Sequence, residues 1–342
     1  MTFSMKNKIF GRVAAFLIIL FCFTEKAFAQ IHFEVTPLYE LKNGCLNELV
    51  FAIFDDDVYK LSELNWNIKN ISYIGGKVGV SYKWFEFESS MMGAFSKKSA
   101  KMYDSDWQDL PANPEMKTTF SISENTLNHS FTFDSKAIFA PEITDWFKTG
   151  IFLQYTLDQI QFSARNGYGW YGSSRYSQNG QYVPFDSEYA KFFATGSLQG
   201  IDYYRVTRSF NLGLLFNFTI FERLQIKLKG TVSPYTFVQS LDHHYSASSA
   251  ESYYRDEIKS HFAFYNFGTE LKFRVIENIY AGCGFSYYYM KERQGDTYSK
   301  QEQHGYTDMI FKDLNEYYPD SSSLSGTSAK WYTLTAFCSF IF

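Results

Sequence analysis

Along residues 85–95 the odd positions are Phe85, Phe87, Ser89, Met91, Gly93 and Phe95, and the even ones begin Glu86, Glu88 and Ser90. A two-residue period places the two sets on opposite faces of a β-strand. Residues 150–159 repeat it, with Ile151, Leu153, Tyr155 and Leu157 against Phe152, Gln154, Thr156 and Asp158. Residues 266–275 set Phe267, Leu271, Phe273 and Val275 against Asn266, Glu270, Lys272 and Arg274. Past residue 30 no apolar run approaches the roughly 20 residues that a membrane-spanning helix needs. A chain with this pattern crosses a bilayer with strands, one face to lipid and the other to a polar lumen.

Short connections fall near residues 82–85, 141–146, 220–223 and 277–279. Polar, Gly/Ser-rich loops fall near 54–57, 108–117, 171–188, 246–256 and 294–328. Together they join ten strands, and the rule for such proteins makes the short turns periplasmic and the long loops extracellular. The expected fold is therefore all-β: a closed antiparallel transmembrane β-barrel of ten strands with long extracellular loops. Many strands look twice as long as the about 9 to 11 residues that cross a bilayer, so the barrel should stand clear of the membrane on the outside. The last strand, 331–342, ends on Phe342 with Phe340 on the same face. A terminal aromatic of this kind resembles the assembly signal of outer-membrane barrels.

The first residues read as an export signal. Lys6, Lys8 and Arg12 are a basic start, residues 13–23 an apolar stretch, and Ala27-Phe28-Ala29 a cleavage site before Gln30. The expected organisation is a cleaved signal peptide over residues 1–29 and one outer-membrane barrel domain over 30–342. Removing the signal takes four basic residues and one acidic one from 32 Lys+Arg and 36 Asp+Glu, leaving 28 against 35 and a net charge of −7. That balance argues against nucleic acid as a partner. With 27 Tyr and 36 Phe the chain is 20% aromatic, which suits a barrel with aromatic girdles better than a soluble domain. Cys45, Cys283 and Cys338 remain after export, an odd and scattered set that reads as small strand residues. Neither HExxH nor CxxC occurs, so no metal or other cofactor is expected.

Two clusters near the outer ends of strands could carry chemistry. Asp104 and Asp106 are two positions apart in Met102-Tyr103-Asp104-Ser105-Asp106-Trp107 and so share a face, the lumen face counted on from Glu86 and Glu88. Like charges this close raise each other's proton affinity and can share a proton and hold a water. Asp242 and His244 likewise share a face, a carboxylate placed to orient an imidazole as general base. His243 points the other way and reads as a spectator. Read alone, each cluster is better explained as solvated loop-border residues. Simple alternation from Leu224, Ile226 and Leu228 would put Asp242 and His244 on the lipid face. A parity flip is therefore expected between them, with a bulge near Pro234.

The stretch Lys60-Leu61-Ser62-Glu63-Leu64-Asn65-Trp66, the D-x-D-W of Asp104 to Trp107, the run Phe162-Ser163-Ala164-Arg165-Asn166-Gly167 and the D-x-H of Asp242 to His244 follow one another in an order and spacing that resembles the omptin family. The resemblance extends from about Asn47 to Phe342. It implies an outer-membrane endopeptidase, active site facing the exterior, in which Asp242 and His244 face Asp104 and Asp106 across a groove and activate water. It also implies a preference for a basic residue before the cut. Glu48 matches one acid of the pocket that binds it, and alternation from His32 and Glu34 turns Glu48 inward. The second pocket acid is replaced by Ser240, which should weaken the preference.

The expected partners are peptide or protein substrates and an outer-membrane lipid that could activate the protein. The family's lipid-binding acidic and basic positions appear as Leu157 and Gln159, so either another lipid serves or none is needed. A second reading from the same residues is a non-catalytic barrel acting as adhesin or receptor. The complete set of Asp104, Asp106, Asp242 and His244 is the feature that separates the two.

Overall fold

The computed structural model describes residues 31–245, 250–302 and 317–342. The expected signal peptide lies outside the described residues. The strands are β1 (Ile31–Phe54), β2 (Asp57–Tyr82), β3 (Phe85–Ala94), β4 (Lys98–Asp106) and β5 (Thr119–Phe139). They continue as β6 (Glu142–Thr144), β7 (Phe147–Tyr171), β8 (Lys191–Leu198), β9 (Ile201–Ile220) and β10 (Leu224–His244). The remainder are β11 (Glu251–Ser260), β12 (Phe264–Ile276), β13 (Ile279–Glu302), β14 (Tyr318–Pro319) and β15 (Ser323–Ile341).

These elements make ten staves. β3 and β4 are two halves of one stave, since both pair with β2 and with β5. β11 and β12 are likewise halves of one stave between β10 and β13. The other staves are β1, β2, β5, β7, β9, β10, β13 and β15, each antiparallel to its neighbours. The pairing of β1 with β15 closes the ring, from Glu34↔Ile341 up to Ala52↔Ser323. Phe342 joins the closure by exchanging backbone hydrogen bonds with Phe33, at 3.1 and 2.9 Å. Among the described residues closure leaves none of the ten staves with an open edge at membrane level, as a membrane requires.

The lower barrel obeys the alternation read from sequence. Val78, Val80, Phe85, Phe87, Leu212 and Leu214 are exposed to the lipid side. Tyr39, Tyr265, Tyr289 and Tyr332 are exposed at the upper rim of this apolar band, where an amphipathic ring suits the interface. The inward faces are crosslinked by charge: Lys42 to Asp158 at 2.7 Å, Lys272 to Glu34 at 2.8 Å, and Lys227 to Glu88 at 3.4 Å. Side chains thus fill the membrane-level lumen, as a ten-stranded ring of this size should.

Above the band the strands continue, and two expected loops prove shorter. Residues 246–256 were expected as loop, yet β11 begins at Glu251; within 294–328, β13 runs to Glu302 and β15 resumes at Ser323. There is no lipid at this height, so neither face needs to be apolar, and the alternation that marks a strand lower down is lost.

The parity flip falls where Pro234 suggested. β10 pairs Val232 with Leu212 and Tyr235 with Phe210, so one extra residue is inserted on the β10 side. Below it Lys227 reaches Glu88 through the lumen; above it the even positions Thr236, Val238, Ser240 and Asp242 are buried. Ser233 ties the bulge, its Oγ lying 2.9 and 2.7 Å from the carbonyls of Phe210 and Tyr235 and donating its one proton between them. Comparable register shifts occur at Asn70 on β2 and in the upper halves of β5 and β13. Asn70 takes a left-handed conformation (φ 53°), which Asn tolerates better than most side chains.

Candidate active site

Above the bulges the inward face changes from charged pairs to an aromatic floor. Trp66 on β2 is fully buried and stacks between Tyr203 and Phe162, with ring centroids 5.2 and 5.7 Å away. Its indole N–H donates to Glu48 Oε2 at 3.1 Å. Two of the runs singled out in the sequence, around Trp66 and around Phe162, therefore meet as one pillar.

Asp104 and Asp106 project from β4 just above this floor. Leu64 on β2 pairs with Asp104 on one side and Glu48 on the other, which sets the three strands in order. Burial and the mutual repulsion of the two carboxyls push Asp104 well above the usual carboxylate range. Burial raises Asp106 to about 6, against a stabilising hydrogen bond from Ser62.

On the facing wall, β10 turns Asp242 and His244 inward. His244 Nε2 lies 2.5 Å from Asp242 Oδ2. Burial disfavours the imidazolium, but the Asp242 carboxylate, together with Asp104 and Asp106, outweighs it and lifts His244 to about 8. All four residues therefore share one electrostatic site. Among the described residues Asp104 Oδ1 and Asp242 Oδ1 are buried and receive no hydrogen bond from a donor group. Each is free to accept a proton-bearing group between the walls. The arrangement offers an imidazole oriented by a carboxylate, with Nδ1 left basic in the neutral tautomer, facing a couple able to hold one proton between two carboxyls.

Glu48 and Ser240 also point into the lumen, both almost fully buried. Three further groups at the site were not singled out by sequence reasoning. Asp256 on β11 pairs with Ser240 in register and accepts a 3.0 Å hydrogen bond from Ser240 Oγ. Arg205 on β9 pairs with Ser240 from the other side and is buried. Tyr171 stands close enough to the Asp104–Asp106 couple for the two carboxylates, after burial, to push its hydroxyl up. Asp256 was missed because its segment read as loop; the alternation of Tyr254, Asp256, Ile258 and Ser260 is the signal that could have found it. His243 turns away, as expected, but is no bystander in packing. It is completely buried between the rings of Tyr245 and Tyr253 and bonded to Glu251 at 2.7 Å.

A closed ten-stranded transmembrane barrel carrying a carboxylate- and imidazole-lined site above its membrane band defines an outer-membrane class of protein. Within that class the chain belongs to the omptin family, whose model matches residues 40–325. Among solved structures, the outer membrane protease OmpT from Escherichia coli superposes with a TM-score of 0.75 at 18% identity, covering 91% of this chain and 97% of that one. At that identity the likeness speaks for the fold. A FadL homologue of Pseudomonas aeruginosa (TM-score 0.27, 7% identity, 91% and 90% covered) and the toluene transporter TodX of P. putida (0.29, 7%, 92% and 90%) overlay too poorly to carry an argument. A search of curated protein sequences returned no match.

Proposed function

We propose that this protein is a surface endopeptidase whose water nucleophile is activated by Asp242 and His244 and positioned by Asp104 and Asp106. The observation that carries the reading is the 2.5 Å contact between Asp242 and His244 on the wall facing the two aspartates. In the reaction, His244 Nδ1 takes a proton from water as its oxygen bonds to the peptide carbonyl carbon. The Asp104–Asp106 couple holds the water and donates a hydrogen bond from its shared proton to the oxygen that gains charge. When the tetrahedral adduct collapses, the C–N bond breaks and the amine leaves with the proton from the imidazolium. No covalent enzyme intermediate and no metal ion takes part in this scheme.

The site faces the exterior in this proposal, because it lies at the end of the barrel that carries the extended strands and long connections. Glu48, buried beside the aromatic floor, gives the pocket its preference for a basic residue before the cut. A lipid partner is supported by the outer wall just above the apolar band. There Arg208 and Lys259 flank Phe237 at 6.0 and 5.9 Å from its ring, a cationic patch suited to an anionic headgroup. The deciding experiment is incubation of the folded barrel with a mixed peptide library and sequencing of the products. Cleavage that His244→Ala abolishes supports the reading; intact peptides would favour an adhesin or receptor.

A further inference from the structure

Position 240, where the family pattern calls for an acid, holds Ser240, and the pocket would have one carboxylate if Glu48 stood alone. The fold supplies another from the neighbouring stave. Asp256 lies directly across the β10–β11 ladder from Ser240, shares its inward face and is 6% exposed. Ser240 donates to Asp256 Oδ2 at 3.0 Å, which fixes the carboxylate within one side-chain length of the position it replaces. Asp256 also faces Glu48 closely enough to contribute, after burial and Asp242, to raising that residue's proton affinity.

We propose that Asp256 is the second acid of the substrate pocket, so that the basic side chain before the cut is held between Glu48 of β1 and Asp256 of β11. The proposal deepens the endopeptidase reading and rests on it.

The charges around these acids leave the place of a cation open. Arg205, on the other side of Ser240, turns its guanidinium toward Thr207 Oγ1 (3.2 Å) and Met290 Sδ (3.4 Å) and forms no ion pair among the described residues. Arg255 reaches Glu257 at 3.7 Å and lies over the Tyr298 ring at 4.4 Å, on the other face of β11, and its charge offsets the burial of Asp256 only as the smallest of the contributions. Asp242 stands beside Glu48 closely enough to raise that residue's proton affinity, after burial, by repulsion and by a shared hydrogen bond. Buried carboxylates without a cation are costly, and burial raises Asp256 to about 7. An entering guanidinium or ammonium relieves that cost, and a neutral side chain of the same shape does not.

The test uses the full barrel and two peptides that differ only in carrying arginine or its neutral isostere citrulline before the scissile bond. The quantity read is the ratio of their kcat/KM values. Wild type should favour arginine, and Asp256→Asn should cut the ratio at least tenfold, chiefly through KM. The double variant Asp256→Asn/Ser240→Asp, which moves the acid back across the ladder, should recover most of it. A ratio unchanged in Asp256→Asn, in a barrel whose heat-modifiable gel migration is intact, overturns the proposal. If Asp256→Asn does not fold, the double variant decides: a folded double variant that prefers arginine supports an interchangeable acid, and one that does not overturns it. A second readout separates this proposal from the catalytic one. In the His244→Ala barrel, agmatine should bind measurably by titration calorimetry, and Asp256→Asn in that background should weaken its binding at least tenfold. Agmatine binding with no peptide cleavage by wild type would leave the pocket standing and remove the catalytic reading. No agmatine binding together with no arginine preference would remove the pocket.

Discussion

The indole N–H of Trp66 donates to Glu48 Oε2 across 3.1 Å, joining the aromatic floor of the lumen to the wall of the proposed substrate pocket. Glu48 is thereby anchored from the aromatic floor, beside Asp242 and Asp256. Replacing Glu48 by Gln should erode selectivity for arginine over citrulline by about 1 to 3 kcal/mol, the scale of a hydrogen bond to a charged group. Competition between the two peptides in one tube measures this directly. An undiminished preference would place the pocket elsewhere.

His244→Ala and Asp104→Asn should each lower kcat by about 10²- to 10⁴-fold, the usual contribution of a positioned acid or base. Both should leave a folded barrel, because neither residue takes part in the strand ladders through its side chain. Full activity in either variant, with heat-modifiable migration intact, would refute the scheme. Chelator treatment should leave wild-type turnover unchanged.

The pH profile follows from His244, which must be neutral to act as base. Its pKa of about 8 places the rising limb of kcat/KM near that value. Asp242→Asn removes the main charge opposing the burial of the imidazolium, so the limb should move to lower pH while the maximum rate falls. A limb that stayed near 8 in this variant would assign the titration to another group.

The site should also limit the stability of the protein in alkali. Asp106 near 6, Asp256 near 7 and His244 near 8 all lie above their unfolded values. Each therefore binds its proton more tightly when folded. Their contribution is complete below the unfolded pKa values, about 4 for the carboxyls and 6.5 for the imidazole, and is lost as pH rises through 6 to 8. Asp104→Asn, which removes one member of the repelling couple, should raise the temperature at which the folded gel band is lost at pH 8. The gain should shrink at pH 5; an equal gain at both values would contradict an electrostatic origin.

The bulge in β10 has its own test. Deleting Ser233 removes the extra residue, restores regular pairing with β9, and turns Asp242 and His244 toward the outside. Activity should be lost even though all four site residues remain in the chain. Pro234→Ala keeps the residue count and should keep activity. An active deletion variant would show that parity in the upper half of β10 is set by something other than this insertion.

Much of this molecule is written locally. In a membrane every second residue must suit lipid, so Phe85, Phe87, Ile151 and Leu153 declare both their strand and their face, and the short turns between such runs count the staves. The spacing of Asp104 with Asp106, and of Asp242 with His244, likewise states which side chains travel together. Alternation could also report that β10 conflicts with itself between Leu228 and Asp242. Only the folded ring decided that the extra residue sits at Ser233–Pro234, because a bulge is defined by the neighbour that lacks it. Only the ring brought Trp66 between Phe162 and Tyr203, or set Asp104 opposite His244, since those distances depend on closure of all ten staves. Asp256 was the least legible of all: above the bilayer neither face of a strand has to be apolar, so β11 carries no lipid signature. Its place beside Ser240 is a matter of cross-strand register alone.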